Sequence, residues 1–297
     1  MLFSEEKVLR FNDGVKKDGD QYQWPHLSLF DADEEVMRMK QNMLSASTGR
    51  RQALLDGCVY LVRLTNDIYE VLDSVKESEL RMRWLEIREK NENVKAIILL
   101  NEKGVYSESF YREFQKAVSE EISGVQDIDE AMRSRTRRIR ELHLLQRFIL
   151  QRVRSPKVYI DCLQGEVITP WIGASLASDL RFASEDTRFV FSHLRRGEYI
   201  GGGLPFFLQR HTGASRAYQI LLEKEEIDAA EALRLGLVNK ILPADDFETA
   251  CVREAKKLCL ADVHSMEIMK HMFSPSVGEL ERVFREETAL VEQFTQR

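Results

Sequence analysis

Two short, almost wholly apolar runs with a helical segment between them constrain the fold more than any other feature. The runs are Cys58–Leu64 and Val94–Leu100, and each has the length of a buried strand. Between them, the charged stretch 74–90 carries apolar residues at helical spacing. Parallel strands need a crossover long enough to hold a helix, so this order predicts a parallel βαβ unit.

Helical and strand patterns continue to alternate along the rest of the chain. They predict helix over residues 110–154, a buried strand at Val158–Leu163, a helix of small residues at Ile172–Ser178, a strand at Thr187–Phe191 and a helix beginning near Pro205. A further helix lies within residues 227–236, where Asp228 can cap the first turn and Gly236 can end the last. Helices then dominate to residue 297.

Composition and charge limit the partners and the location. A net charge of −6 over 297 residues gives no general basic field, which argues against binding to nucleic acid or an anionic membrane. No apolar run approaches the ~18 residues of a membrane-spanning helix, and the acidic start of the chain does not resemble a signal peptide. We therefore expect a soluble, cytoplasmic protein.

The cysteines show neither a metal-binding nor a disulfide pattern. They are Cys58, Cys162, Cys251 and Cys259. None forms a C-x-x-C pair, and none has histidines at ligand spacing. We predict reduced, buried thiols and no metal site.

Three longer segments carry a family resemblance. They are Ile227–Pro243 (IDAAEALRLGLVNKILP), Pro156–Ala183 and Thr187–Leu222. In the second segment, the 14 residues from Gly165 to Asp179 keep the family's spacing without a gap. The segments resemble the crotonase (enoyl-CoA hydratase/isomerase) superfamily, and together with a weaker match at Val105–Tyr111 they cover roughly residues 55–275.

The resemblance implies a fold, a domain division and a ligand. The fold is α/β, the ClpP/crotonase-like fold of repeated βαβ units with a helical C-terminal region. The division is an N-terminal extension at 1–40, a crotonase-like ββα core at 41–225, and a helical C-terminal region for oligomerisation at 226–297. The ligand is an acyl thioester of coenzyme A or of an acyl carrier. Coenzyme A enters only as part of the substrate, and no cofactor is expected.

Crotonases polarise the thioester carbonyl with two backbone N–H groups placed where negative charge develops. The resemblance puts Phe110 at the first donor position and Pro170 at the second. Proline has no N–H. Either this oxyanion hole is lost, or the next amide, that of Trp171, supplies the donor from a helix N-terminus.

Family hydratases also need two carboxylates to hold and activate water. The same register puts Gly173 at the first of these positions and His193 at the second, so we expect negligible hydration of an enoyl thioester. His193 is the candidate general acid or base, because imidazole titrates near neutral pH. The alternative is that it only fills the vacated position. Glu166 and Glu198 are the carboxylates nearest to the site in sequence.

The resemblance also bears on the region around Lys270. This residue falls where the family often has a lysine near the phosphates of coenzyme A, and a plain surface lysine is the alternative. The neighbouring apolar residues predict a face that is buried in a homo-oligomer, a trimer or a hexamer. They are Met266, Ile268, Met269, Met272 and Phe273.

Three functions remain open from the sequence. The first is an enzyme on an acyl thioester, a lyase, isomerase or hydrolase with a variant active site around His193. The second is a catalytically inactive crotonase-fold protein that serves binding or assembly. The third is an RNA-binding relative that uses the arginines at 133–140.

Overall fold

A computed structural model describes residues 53–66, 68, 82, 85–86, 88–123, 130–191, 193–197, 199 and 201–294. The predicted extension at 1–40 lies outside these residues. Most of the predicted helix at 74–90 does so too, although the described residues 82, 85, 86, 88 and 89 are helical.

Nine strands in the described part of the chain form two sheets. They are β1 (Ala53–Asp56), β2 (Val59–Leu64), β3 (Ala96–Asn101), β4 (Val158–Leu163), β5 (Glu166–Ile168), β6 (Leu180–Ser184), β7 (Arg188–Val190), β8 (Glu226–Asp228) and β9 (Lys240–Leu242). The larger sheet has the order β1-β2-β3-β4-β6-β9 and is parallel except for β1. The parallel pairing of β2 with β3 confirms the strand arrangement predicted for the βαβ unit.

Nine helices can be bounded within the same residues. They are α1 (Glu108–Ser123), α2 (Glu130–Arg154), α3 (Thr169–Leu176), α4 (Leu204–Thr212), α5 (Ala214–Glu223), α6 (Ala229–Arg234), α7 (Phe247–Leu258), α8 (Val263–Phe273) and α9 (Val277–Phe294). The helical pattern over 110–154 corresponds to α1 and α2. None of the described helices is both long and apolar enough to cross a membrane.

Both faces of the larger sheet are buried, as is usual for parallel sheets. Alternate residues of β2 point to opposite sides: Val59 and Leu61 join one apolar cluster, whereas Tyr60 and Val62 join the other. Helix α7 covers the first side. The second side packs against α2, α3, α4 and α9, and the predicted site residues Phe110 and Trp171 lie on it.

The smaller sheet, β5-β7-β8, stands beside α3 and α6. Strand β8 of this sheet and strand β9 of the larger sheet both lie within residues 226–297, the predicted C-terminal region. Strand β8 pairs with β7, and β9 pairs with β6, so both join strands of the preceding region. The division at residue 225 therefore stays a prediction. The predicted ends of α6 are confirmed, because the Asp228 carboxylate accepts the Glu231 N–H at 2.7 Å and Gly236 has a φ of +74°.

The prediction of four reduced thiols is wrong for two of them. Cys58 and Cys259 form a disulfide between the β1-β2 turn and the end of α7, with their Cα atoms 6.2 Å apart. These residues are 201 positions apart in sequence, so only the tertiary fold brings them together. Cys162 and Cys251 are free and buried, as predicted. Disulfides are rare in cytosolic proteins, so this bond does not favour the predicted cytoplasmic location, which stays a prediction.

The orientation of α8 buries one residue of the apolar face predicted around Lys270 and leaves the other four exposed. Met266 and Lys270, one helical turn apart, point into the protein and are buried. The inclusion of Met266 in an outward face was therefore wrong. The other members face away from the sheet and are exposed; they are Ile268, Met269, Met272 and Phe273.

Candidate active site

Helix α3 lies with its backbone directly against the loop that contains residues 201–203. A Cβ atom built on Gly173 would stand 2.4 Å from the Gly202 carbonyl oxygen. A Cβ atom built on Gly202, whose φ is +72°, would stand 2.4 Å from the Pro170 carbonyl oxygen. Both distances are shorter than any real contact of a side chain, so both positions require glycine.

This contact explains why residue 173 is a glycine. It stands at the first position where the family hydratases carry a carboxylate. The space that a side chain would need at residue 173 is taken by the backbone of the loop. A carboxylate cannot be restored there without separating α3 from the loop. Its absence is therefore a requirement of the packing in this chain.

His193, at the second such position, is fully buried, with 0% of its surface exposed. It precedes a 3-10 turn at Leu194–Arg196, and its Nδ1 is hydrogen-bonded to the Thr169 hydroxyl. Thr169 is the first residue of α3. The imidazole is thus held at the helix start that also carries Pro170 and Trp171.

A buried tyrosine and a buried glutamate extend the polar cluster beyond His193. The Tyr111 ring lies 6.1 Å from the imidazole, centre to centre. Its hydroxyl donates to the Glu141 carboxylate at 2.5 Å, and only 6% of the Glu141 surface is exposed. Sequence reasoning did not single out either residue. The only sequence signal for Glu141 was its place within a long predicted helix, and a glutamate there is more often exposed than buried.

The start of α1 carries Phe110, the first predicted oxyanion donor. Its N–H donates to the Ser107 hydroxyl at 3.3 Å, and its ring packs on the core. Glu166, named above as a nearby carboxylate, accepts the Glu108 N–H at 2.7 Å. Glu166 therefore caps the helix and also lies 3.5 Å from Arg188. Glu198 lies outside the described residues.

The starts of α1 and α3 are joined by two contacts. The Ile168 N–H donates to the Tyr106 carbonyl at 3.1 Å. The Tyr106 and Trp171 rings are stacked, with their centres 4.5 Å apart and their planes 11° apart. Proline is well tolerated in the first turn of a helix, and there Pro170 leaves the amide of Trp171 as the next one along α3. The predicted oxyanion donors Phe110 and Trp171 thus belong to two helix starts that meet.

Lys270 lies in a separate buried network that joins α8 to the residue before β4. Its ammonium is 2.8 Å from an Asp179 carboxylate oxygen and donates to the Lys157 carbonyl at 2.5 Å. Only 5% of the residue is exposed. Burial lowers the pKa of this ammonium, and the charge of Asp179 opposes that shift. A surface lysine is therefore the wrong description, and the contact with coenzyme A phosphates stays a prediction.

A second buried carboxylate, that of Glu287, is hydrogen-bonded to the backbone of Gly203 in the loop at residues 201–203. Glu287 of α9 accepts hydrogen bonds from the Tyr199 hydroxyl at 2.8 Å and from the Gln146 amide at 2.9 Å. Burial raises the pKa of this carboxyl, and the two hydrogen bonds oppose the shift. These bonds attach α9 to Tyr199, which precedes the loop, and to Gln146 of α2.

Comparison with known proteins assigns the chain to a family. The profile of the family Enoyl-CoA hydratase/isomerase matches residues 79–297, well over half of the chain. The protein therefore belongs to the enoyl-CoA hydratase/isomerase family, as its resemblance to the crotonases predicted. An enoyl-CoA hydratase from Bacillus halodurans has the same fold, with a TM-score of 0.66 at 19% identity, covering 82% of this chain and 94% of that one.

The relatives with assigned names differ in what they act on. A probable enoyl-CoA hydratase, EchA12, of Mycobacterium tuberculosis is 29% identical over 54% of this chain and 56% of its own length. A trans-2-decenoyl-[acyl-carrier-protein] isomerase of Streptococcus mutans is 30% identical over 46% of this chain and 51% of its own. This chain thus spans about half the length of the curated relatives it matches.

We predict that Gly173→Ala destabilises the protein although it adds a single methyl group. Overpacking of a tight contact costs about 1–3 kcal/mol, and here the opposing atoms are backbone. Thermal unfolding followed by circular dichroism measures the effect. The matched control is Gly278→Ala in the first turn of α9, where the nearest atom to the new methyl is 3.8 Å away. Equal melting temperatures for the two variants would contradict the tight contact.

Proposed function

We propose that this protein is an enzyme that acts on an acyl thioester of coenzyme A or of an acyl carrier, with His193 as its general acid or base. The observation that carries the proposal is the hydrogen bond between His193 and Thr169. It holds a titratable ring at the helix start where the thioester carbonyl would be polarised. The names of the relatives, which include acyl-CoA and acyl-carrier enzymes, support the thioester as substrate.

The roles follow from the chemistry of the side chains. The Trp171 amide would donate to the thioester oxygen as negative charge develops there, and the Phe110 amide would do so by exchanging its 3.3 Å bond to the Ser107 hydroxyl for one to that oxygen. His193 would move a proton at a carbon or oxygen of the acyl group, and Tyr111 with Glu141 would stabilise the charged ring. Because Gly173 and His193 stand at the two positions where the hydratases carry carboxylates, an isomerase, a decarboxylase or a hydrolase fits this cluster better than an enoyl hydratase.

A second function is favoured by a specific observation. The contact between Gly173 and Gly202 closes the first carboxylate position, and Pro170 brings no N–H. A crotonase-fold protein that binds a thioester without turning it over would have the same features. Binding and turnover must therefore be measured separately. RNA binding gains no support, because the side chains of residues 133–138 and 140 lie outside the described residues.

We predict that short acyl-CoA thioesters stabilise the protein against heat, because a ligand that binds only the folded state adds to its stability. A ligand at 100 times its dissociation constant adds about 2.7 kcal/mol. Differential scanning fluorimetry with acetyl-CoA, crotonyl-CoA and free coenzyme A measures this. Stabilisation by the thioesters beyond that by free coenzyme A is expected. A melting temperature unchanged by every thioester would overturn the proposal that the fold binds them.

We predict that His193→Ala lowers turnover by ~10²-fold or more, the scale of a lost general acid or base. Turnover of a panel of short acyl-CoA thioesters is followed by thiol release and by loss of the enoyl absorbance. The matched control is His264→Ala on α8, whose side chain is 84% exposed. If the variant binds thioesters normally and keeps activity within about threefold of wild type, His193 only fills the vacated position.

We further propose that the protein forms a homo-oligomer, a trimer or hexamer, through the exposed apolar face of α8. Met272 and Phe273 are 75% and 79% exposed, and such a face is a common site of self-association. Light scattering should give a mass above the 34.5 kDa of one chain, and Phe273→Glu should lower it. Leu222→Glu on α5 is the control, because Leu222 is also exposed but lies on another helix. A wild-type monomer at micromolar concentration would refute the proposal.

A further inference from the structure

A small apolar cavity lies between the larger sheet and helices α2 and α3. Its volume is about 30 Å³. The wall includes Val62 and Leu99 of the sheet, Leu145 and Phe148 of α2, and the stacked pair Tyr106 and Trp171. The cavity thus begins at the point where the starts of α1 and α3 meet.

Two polar side chains in the cavity wall are engaged elsewhere, whereas the buried amide oxygen of Gln151, which also lines the cavity, accepts no hydrogen bond from the residues that the structure describes. The Arg152 guanidinium contacts the Asp161 carboxylate at 3.1 Å and the Ala174 carbonyl at 2.6 Å. The Tyr159 hydroxyl donates to Glu89 at 2.6 Å. Arg152 and Tyr159 therefore present mainly carbon atoms to the space, and a ligand group that enters it meets a largely apolar surface with one amide oxygen.

The position of the cavity relates it to the thioester. A carbonyl bound at the two helix starts would direct its acyl group toward the rings of Tyr106 and Trp171. Both rings are buried, and their stacking occupies the space next to the cavity. Because a cavity of about 150 Å³ holds a benzene molecule, a cavity of about 30 Å³ has room for only a few atoms at the end of an acyl chain.

We propose that Trp171, stacked on Tyr106, closes the acyl end of the site and restricts the protein to thioesters of short, unsubstituted acyl groups. The inference rests on the proposed function, since it assumes that a thioester binds at these helix starts. Trp171 is then a specificity-determining residue through its ring, while its backbone amide serves the carbonyl. Removing the ring enlarges the cavity and leaves the amide in place.

Isothermal titration calorimetry with acetyl-CoA, butyryl-CoA and octanoyl-CoA tests the proposal on the wild-type protein. In a pocket of unlimited length, each added methylene strengthens binding. Here octanoyl-CoA should bind at least about tenfold more weakly than butyryl-CoA. Octanoyl-CoA that binds as tightly as butyryl-CoA, or more tightly, overturns the restriction while the proposed function stands. If none of the three binds, the proposed function fails and this inference fails with it.

The variant Trp171→Ala should tighten octanoyl-CoA binding about tenfold and so remove most of the wild-type preference for butyryl-CoA over octanoyl-CoA. Trp171→Phe keeps a flat ring of smaller size and should give an intermediate preference, and it serves if the alanine variant does not fold. Phe206→Ala is the matched control, because Phe206 is a buried aromatic residue of α4 that is not among the residues lining the cavity. A change in chain-length preference in the control, or none in both Trp171 variants, overturns the assignment of Trp171.

Discussion

The backbone of α3 rests on the backbone of the loop around Gly202, and the geometry of the candidate site depends on this contact. Gly173 and Gly202 each lack the Cβ atom that would force the two apart. Close packing in protein interiors leaves no room to absorb such a shift. The first turn of α3 is therefore held at one position, and with it Thr169, Pro170 and Trp171. The same turn also positions His193, because the imidazole is hydrogen-bonded to Thr169.

Buried ion pairs hold the elements around α3 in register. Arg152 of α2 contacts both Asp161 of β4 and the Ala174 carbonyl of α3, so one side chain joins three elements. Such pairs contribute little net stability, because removing charges from water offsets their attraction, but losing one partner leaves the other charge buried. Burial raises the pKa of Asp161, and the charge of Arg152 opposes the shift. The pair thus acts chiefly as a constraint on the position of α3.

The sequence predicted what depends on local pattern and on an ungapped register. The strands β2 to β4 and the capped helix α6 followed from it, whereas the helix predicted at Ile172–Ser178 begins three residues earlier, at Thr169. It did not predict contacts between residues that are far apart along the chain. The disulfide, the bond between Tyr111 and Glu141 and the burial of Lys270 are of this kind. Each depends on which way a helix face turns, and a short apolar pattern around Lys270 left that undetermined.

The two positions where the hydratases have carboxylates have changed in different ways. At position 173 no side chain fits, so the missing carboxylate there follows from packing and does not indicate which reaction the protein catalyses. At His193 the protein buries an imidazole beside Thr169, Tyr111 and Glu141, four polar groups where apolar side chains would also fill space. Burying polar groups costs free energy that hydrogen bonds only offset, and a chain that needed only the fold would be as stable with an apolar core there. A cluster of this composition fits a site that transfers a proton, and this favours the proposed enzyme over the alternative of an inactive crotonase fold.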